Sequence, residues 1–251
     1  MPRILVLSDI HANIDALQSC LASAPAHDAV WNLGDIVGYG AAPNEVTSIS
    51  RQWGSVFVRG NHDKVCSGVE EPLDFNPMAA QAVYWTRTAL APAHQSWLAA
   101  LPQGPLQPEP SLPAQICHGS PLDEDEYLLS FVDADEALNA AAVPITFFGH
   151  THVQGGFASD ETHGHTIRPE YEDGPEVSWK LRLLPGAKYL INPGSVGQPR
   201  DGDPRAAYCV WDTASNVVEF RRCSYPILAA QQRIWRAGLP DRLATRLMQG
   251  S

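Results

Sequence analysis

Five short apolar runs in this chain stop abruptly at fragments rich in glycine, aspartate, asparagine and histidine: Ser8-Asp9-Ile10-His11, Gly34-Asp35, Gly60-Asn61-His62-Asp63, His118-Gly119 and Gly149-His150-Thr151-His152. No other feature constrains the fold as much. The runs read as strands and the longer segments between them carry helical spacing, the pattern of crossover units around a largely parallel sheet. In open α/β sheets the carboxyl ends of strands converge on one crevice, so five strand ends can deliver these side chains to one point. Near an extended strand end, residues two apart tend to share a face, which predicts that Asp9 aligns with His11 and His150 with His152.

Residues 3–8 are expected to form the first strand, and a helix should start near Asn13 with Ile14, Leu17 and Leu21 at helical spacing. The runs ending at Leu33 and Val58 read as the next strands, followed by helical residues 76–100 and a stiff Pro-rich connection over 101–113. A strand over 114–117, a helix over 133–142 and a strand over 145–148 complete the first part. Past residue 150, short alternating segments between turn residues predict a second, mostly antiparallel sheet. The expected class is therefore α/β, with two packed mixed β-sheets flanked by helices in a single domain over 1–251. A C-terminal helical segment, 226–251, places Ile227, Leu228, Ile234 and Trp235 on one face and adds Leu243 and Leu247; it either covers the core or makes a homo-oligomer contact.

Binding an extended nucleic acid needs clustered lysine and arginine, and a formal net charge of −11 argues against it. A small phosphorylated substrate is compatible with this acidity, because bound divalent cations reverse the local field. The five cysteines are dispersed and form no Cys-x-x-Cys pair, which favours neither a disulfide framework nor a zinc knuckle and makes reducing cytoplasm the simplest compartment. The first residues do not read as a signal peptide, and no stretch approaches membrane-spanning length, so no membrane partner is expected.

Histidine nitrogen mixed with carboxylate and amide oxygen, without thiolate, suits divalent manganese, iron, zinc, nickel or cobalt. Asp9, His11, Asp35, Asn61, His118, His150 and His152 are too many for one catalytic ion with an open position, and suit two ions sharing a carboxylate. Asp35 is the candidate bridge. His163-Gly164-His165 repeats the His-x-His spacing but lies within the polar run 158–177, so it is assigned to an exposed loop outside the cage. Arg200 and Arg205 could clamp phosphate, but loop arginines are more often solvated or turn-bracing and these two are left outside the site; Asn13 and Asn192 read as substrate contacts, ligand-orienting groups or cap and turn residues. The sequence leaves those four roles open.

The ordered fragments Asp-x-His, Gly-Asp, Gly-Asn-His-Asp, His-Gly and Gly-His-Thr-His resemble the calcineurin-like metallophosphoesterase superfamily over residues 1 to about 200. The resemblance implies one metal on Asp9, His11, Asp35 and His152, and a second on Asp35, Asn61, His118 and His150. It further implies that a water or hydroxide bridging the ions attacks phosphorus and that His62 protonates the leaving group. The later run from Ile191 to Gly197 resembles the turn that closes small bacterial phosphodiesterases of this superfamily. The implied function is hydrolysis of a small-molecule phosphodiester by a dinuclear metal centre. Diadenosine-polyphosphate hydrolases and phosphoprotein phosphatases typically continue Gly-Asp into Asp-Arg-Gly. Here the element runs Gly34-Asp35-Ile36-Val37-Gly38-Tyr39-Gly40, which ranks both lower. A non-catalytic scaffold like the retromer subunit of this fold is the rival from another class, and retention of His62 beside a complete ligand set argues against it.

Overall fold

The computed structural model describes residues 1–160 and 163–251. Its first half runs β1 (Arg3–Leu7), α1 (Ile14–Ser23), β2 (Ala29–Asn32), α2 (Pro43–Trp53), β3 (Val56–Phe57), α3 (Asn61–Cys66), α4 (Pro77–Ala89), α5 (Pro92–Ala99) and β4 (Ala114–Ile116). It continues through α6 (Phe131–Ala140), β5 (Ile145–Phe147), β6 (Gly155–Ser159), β7 (Gly164–Ile167), β8 (Glu176–Arg182) and β9 (Lys188–Asn192). The chain closes with β10 (Ala206–Asp212), β11 (Val217–Cys223), α7 (Ile227–Arg236) and α8 (Asp241–Thr245), the last running into a 3₁₀ turn over Arg246–Met248.

Two sheets result, ordered β3-β2-β1-β10-β11-β8 and β4-β5-β9-β6-β7. Strand alternation dictates how they stack. Ile4 and Val6 of β1 face the other sheet and meet Trp31, Phe147, Ile191 and Trp211, whereas Leu5 and Leu7 face the helices and pack with Leu17, Cys20 and Val46. In β9, Tyr189 and Ile191 face between the sheets while Leu190 packs under α6 with Ala134, Ala137 and Leu138. Four layers follow: helices, sheet, sheet, helix. Trp211 is 1% exposed and sits 6.0 Å from the Trp31 ring and 5.7 Å from Phe147, so its truncation to alanine should cost about 3–5 kcal/mol.

The expected α/β architecture of two mixed sheets is present, but the late strands do not make a separate, mostly antiparallel sheet. Strands β10, β11 and β8 extend the sheet of β1 antiparallel, while β9 joins β5 parallel and carries β6 and β7 antiparallel. Alternation fixes which face is buried but not which strand is the neighbour. Helix α2 was not anticipated, because its buried face includes Thr47 and Ser50 beside Val46, which hides the apolar period. The predicted helix over 76–100 is two helices, α4 and α5, broken where Pro92 cannot continue the backbone bonding. Helix α6 begins at Phe131, capped by the Ser130 hydroxyl, which accepts from Asp133 N at 3.3 Å.

In α7, Ala230, Gln231 and Ile234 turn to the core, while Leu228 and Trp235 are 58% and 41% exposed. The four apolar residues expected on one face therefore split between two, as their roughly 100° angular spacing requires. Leu243 and Leu247 are buried. Among the described residues no helix is long and apolar enough to cross a membrane.

Candidate metal centre

The loops that leave β1, β2 and β5 are not extended. Asp9, His11, Ala12, Asp35, Tyr39, His150 and His152 all have φ between 47° and 66°, and Asn216 is the one other described non-glycine residue with positive φ. Such conformations cost of order 1–3 kcal/mol each and persist only where surrounding bonds impose them. Those bonds are present. Asp9 N donates to Gly34 O (3.0 Å), His11 N to Asp35 O (2.9 Å), Val196 N to Ser8 O (3.0 Å) and Gly149 N to His118 O (2.7 Å). Gly60 packs so closely on the Asp35 carboxylate that any side chain there would strike it.

This geometry corrects the expectation from strand alternation. His150 and His152 do not share a face, since the left-handed turns send them to different places. Asp9, His11, Asp35 and His152 form one cluster and Asp35, His118 and His150 another, all six side chains being buried and the ligand atoms within each cluster lying within 4.8 Å of one another. Asp35 Oδ2 is common to both, 3.5 Å from His11 Nε2 and 3.4 Å from His118 Nε2. Its Oδ1 accepts from His62 N at 2.8 Å. Asn61 Oδ1 is buried without a hydrogen-bond partner, as is Asp9 Oδ1.

The imidazoles show what these clusters are built to hold. His11 Nδ1 lies 3.2 Å from Val37 O and His152 Nδ1 lies 2.6 Å from Gln198 O. A carbonyl only accepts, so each ring carries its proton there and turns the lone pair of Nε2 inward. The two Nε2 atoms are 3.1 Å apart, with Asp9 Oδ1 3.3 Å from His152 Nε2 and 3.9 Å from His11 Nε2. Electron-rich atoms in such proximity, desolvated by burial, fit a cation between them. Burial depresses the pKa of both rings well below its ordinary value, so at neutral pH neither supplies a proton to the gap.

The other cluster repeats the design. His118 Nδ1 is 2.8 Å from Leu33 O, His150 Nε2 is 3.1 Å from Asp125 O, and the inward His118 Nε2 and His150 Nδ1 are 3.1 Å apart. Burial alone would lower the His118 pKa, but the Asp35 carboxylate beside it lifts it to about 10. A proton there occupies the direction in which a metal would bind, so ion and proton compete for His118. Burial lifts Asp9 to about 6; Asp35, whose burial acts in the same sense, is held well below the carboxylate range by the imidazoles of His118, His62 and His11.

His62 stands beside both clusters and belongs to neither. Its ring lies 4.9 Å from that of His11 and 4.3 Å from Tyr39, and burial lowers its pKa to about 4. Nδ1 is buried against Gly38 without a hydrogen-bond partner. The ring also lines a cavity of about 260 Å³, shared with His150, Tyr127 and Phe75. Four carboxylates, Glu70, Glu71, Asp74 and Asp125, line that cavity against a single cationic residue, Lys64.

The roles left open by the sequence now divide. Asn13 caps α1, accepting from Ala16 N at 3.2 Å and donating to Gly197 O at 2.9 Å. Asn192 donates to Gly149 O (2.8 Å) and Thr151 Oγ1 (3.0 Å), which braces the turn carrying His150. Arg205 is bound to Asp203 and to Gly174 O, away from the clusters. Asp63, quoted in the sequence without a role, accepts from Ile36 N (2.9 Å) and Gly60 N (3.1 Å) and so locks the Asp35 loop to α3. Its place three residues after Gly60, at a helix start, was the available signal. His163 and His165 are exposed and outside both clusters, although Gly164–Ile167 is an edge strand rather than the expected loop.

Comparison with known proteins agrees with this geometry. The calcineurin-like phosphoesterase superfamily domain matches residues 3–216. An uncharacterized protein of Methanocaldococcus jannaschii is 35% identical over 253 residues, covering 98% of each chain. The crystal structure of a metallophosphoesterase from Sphaerobacter thermophilus is 38% identical and superposes with a TM-score of 0.85 over 100% of this chain and 99% of that one. A hypothetical protein from Pyrococcus horikoshii shares the fold at 16% identity, with a TM-score of 0.77 over 99% of this chain and 98% of that one. With its paired clusters of buried histidine and aspartate and a domain match across most of its length, this chain belongs to the calcineurin-like phosphoesterase superfamily.

Proposed function

We propose that this protein is a dinuclear metal-dependent phosphodiesterase acting on a small molecule. The observation that carries the reading is the inward-facing pair of unprotonated nitrogens, His11 Nε2 and His152 Nε2, against Asp9 and Asp35. Asp9, His11, Asp35 and His152 would hold one ion and Asp35, Asn61, His118 and His150 the other, each manganese, iron, zinc, nickel or cobalt. Two such ions supply charge neutralisation at phosphorus and a water acidic enough to attack at neutral pH.

The protein's own groups do the rest. Asp35 Oδ1 fixes the His62 backbone, and Gly38 and Tyr39 pack its ring. His62 thus faces the cavity in which the departing alcohol would lie, and delivers a proton to it. Burial keeps the ring neutral by itself, so this role has the anionic phosphoryl group of the substrate raise its basicity on binding. The acidic cavity wall favours an uncharged or cationic leaving group. A nucleoside polyphosphate departing there would meet four carboxylates, which supports a simple diester over a dinucleoside polyphosphate.

Two measurements test this reading. Metal-supplemented protein should hydrolyse an aryl phosphodiester; well-folded protein inert with every one of these metals would instead support a scaffold. General-acid assistance supplies about 10²–10⁴ in rate, more for a basic leaving group. His62→Asn should therefore keep both ions and lose far more activity on an alkyl ester than on a nitrophenyl diester. Equal losses on the two would remove the proton-donor role.

A further inference from the structure

Arg200 is a guanidinium beside the metal centre with no carboxylate of its own. No ion pair within 4.0 Å involves it among the described residues, and its Nε is buried without a hydrogen-bond partner. The acids nearest in sequence are already engaged. Asp201 is taken by Arg222 of β11 and by Gln154 N (3.0 Å), and Asp203 by Arg205. What Arg200 does contact is neutral: Nη2 donates to Gln198 Oε1 at 3.0 Å, and Cζ sits 5.8 Å from the centre of the Tyr39 ring.

Its placement is tied to the clusters on both sides. Arg200 N donates to His152 O (3.2 Å), two residues after Gln198 O receives the His152 ring proton. Tyr39 lies 4.7 Å from the His11 ring, and Tyr127 lies 3.8 Å from the His150 ring; Arg200 acts on both phenols. Arg246, from the C-terminal 3₁₀ turn, adds a second guanidinium near enough for the two charges to oppose each other. A guanidinium without a counter-ion beside phenols that flank both clusters calls for an anion, and its fork of N–H groups matches phosphoryl oxygens.

We propose that Arg200 is a substrate-binding residue that donates hydrogen bonds to a non-bridging oxygen of the phosphoryl group held at the two clusters. The proposal rests on the hydrolase reading for the identity of the anion but not for its existence. Arg205, its partner in the same loop, is a brace. The contrast is one of partners rather than of residue type.

The test uses manganese-supplemented full-length protein with inorganic phosphate as probe, for wild type, Arg200→Ala, Arg200→Gln and Arg200→Lys. Calorimetry gives phosphate affinity, elemental analysis gives metal content, and an aryl diester gives kcat and KM. One lost charge-assisted contact should weaken phosphate binding roughly 10- to 100-fold in the alanine and glutamine variants, with partial recovery in lysine and unchanged metal content. Diester kcat/KM should fall in the same order. Wild-type phosphate affinity in Arg200→Ala and Arg200→Gln, with hydrolysis intact, would overturn the proposal and leave the hydrolase reading standing. Loss of metal in these variants would also overturn it, making Arg200 a support of the His152 loop. If the wild type hydrolyses nothing, the hydrolase reading fails; Arg200 still stands if phosphate binds and depends on it, and falls if phosphate does not bind.

Discussion

The chain holds two His-x-His segments, His150-Thr151-His152 and His163-Gly164-His165, and the fold treats them in opposite ways. The first follows a strand buried on both faces, turns left-handed at both histidines, and has each ring locked by a backbone carbonyl. The second sits at the start of an edge strand, paired through His165 to Ala158 and open to solvent. Spacing is identical in the two; preorganisation differs. Rings whose tautomer and direction are already fixed lose little freedom on binding an ion, whereas exposed rings must be ordered at the moment of binding.

The largest effect that sharpens this contrast lies at the residue on which both halves of the first segment depend. Asp35 Oδ2 is shared by the two clusters. Asp35→Asn should therefore deplete both ions and abolish turnover, while Asp9→Asn weakens one. Elemental analysis showing Asp35→Asn with both ions at wild-type occupancy would remove the shared carboxylate.

A smaller loss is expected at Asn192, which holds the first segment in its unusual backbone. Removing the amide from Gly149 O and Thr151 Oγ1 leaves buried groups unpaired, costing about 1–3 kcal/mol in stability. Supports of this kind typically affect metal affinity by about 10–100-fold. Asn192→Ala should show both effects, by thermal denaturation and by metal titration. An affinity equal to wild type would mean that the strained turn needs no brace.

The smallest effect belongs to the second segment. His163→Ala and His165→Ala should leave metal content and turnover at wild-type values, since neither ring belongs to a cluster. Loss of an ion in either would erase the contrast.

Much of this is legible in the sequence, because the ends of buried strands are marked there by an apolar run meeting Gly, Asp or His. The six histidines and aspartates that the structure gathers into the two clusters all lie at such marked ends. The backbone shape is not legible there. Alternation along an extended strand would align His150 with His152, and nothing in the residues themselves announces the left-handed turns that separate them. The two arginines were equally opaque. Asp201 adjoins Arg200 in sequence yet is claimed by Arg222 from another strand, so a local reading could not tell the guanidinium without a carboxylate from the braced one.

The central claim is that His150 and His152, two residues apart, serve different ions. Elemental analysis of manganese-supplemented His150→Ala and His152→Ala beside wild type tests it directly. Wild type should carry two ions per chain and each variant should keep one, with the double variant losing both. Two ions retained in either single variant, or both lost in each, would contradict it.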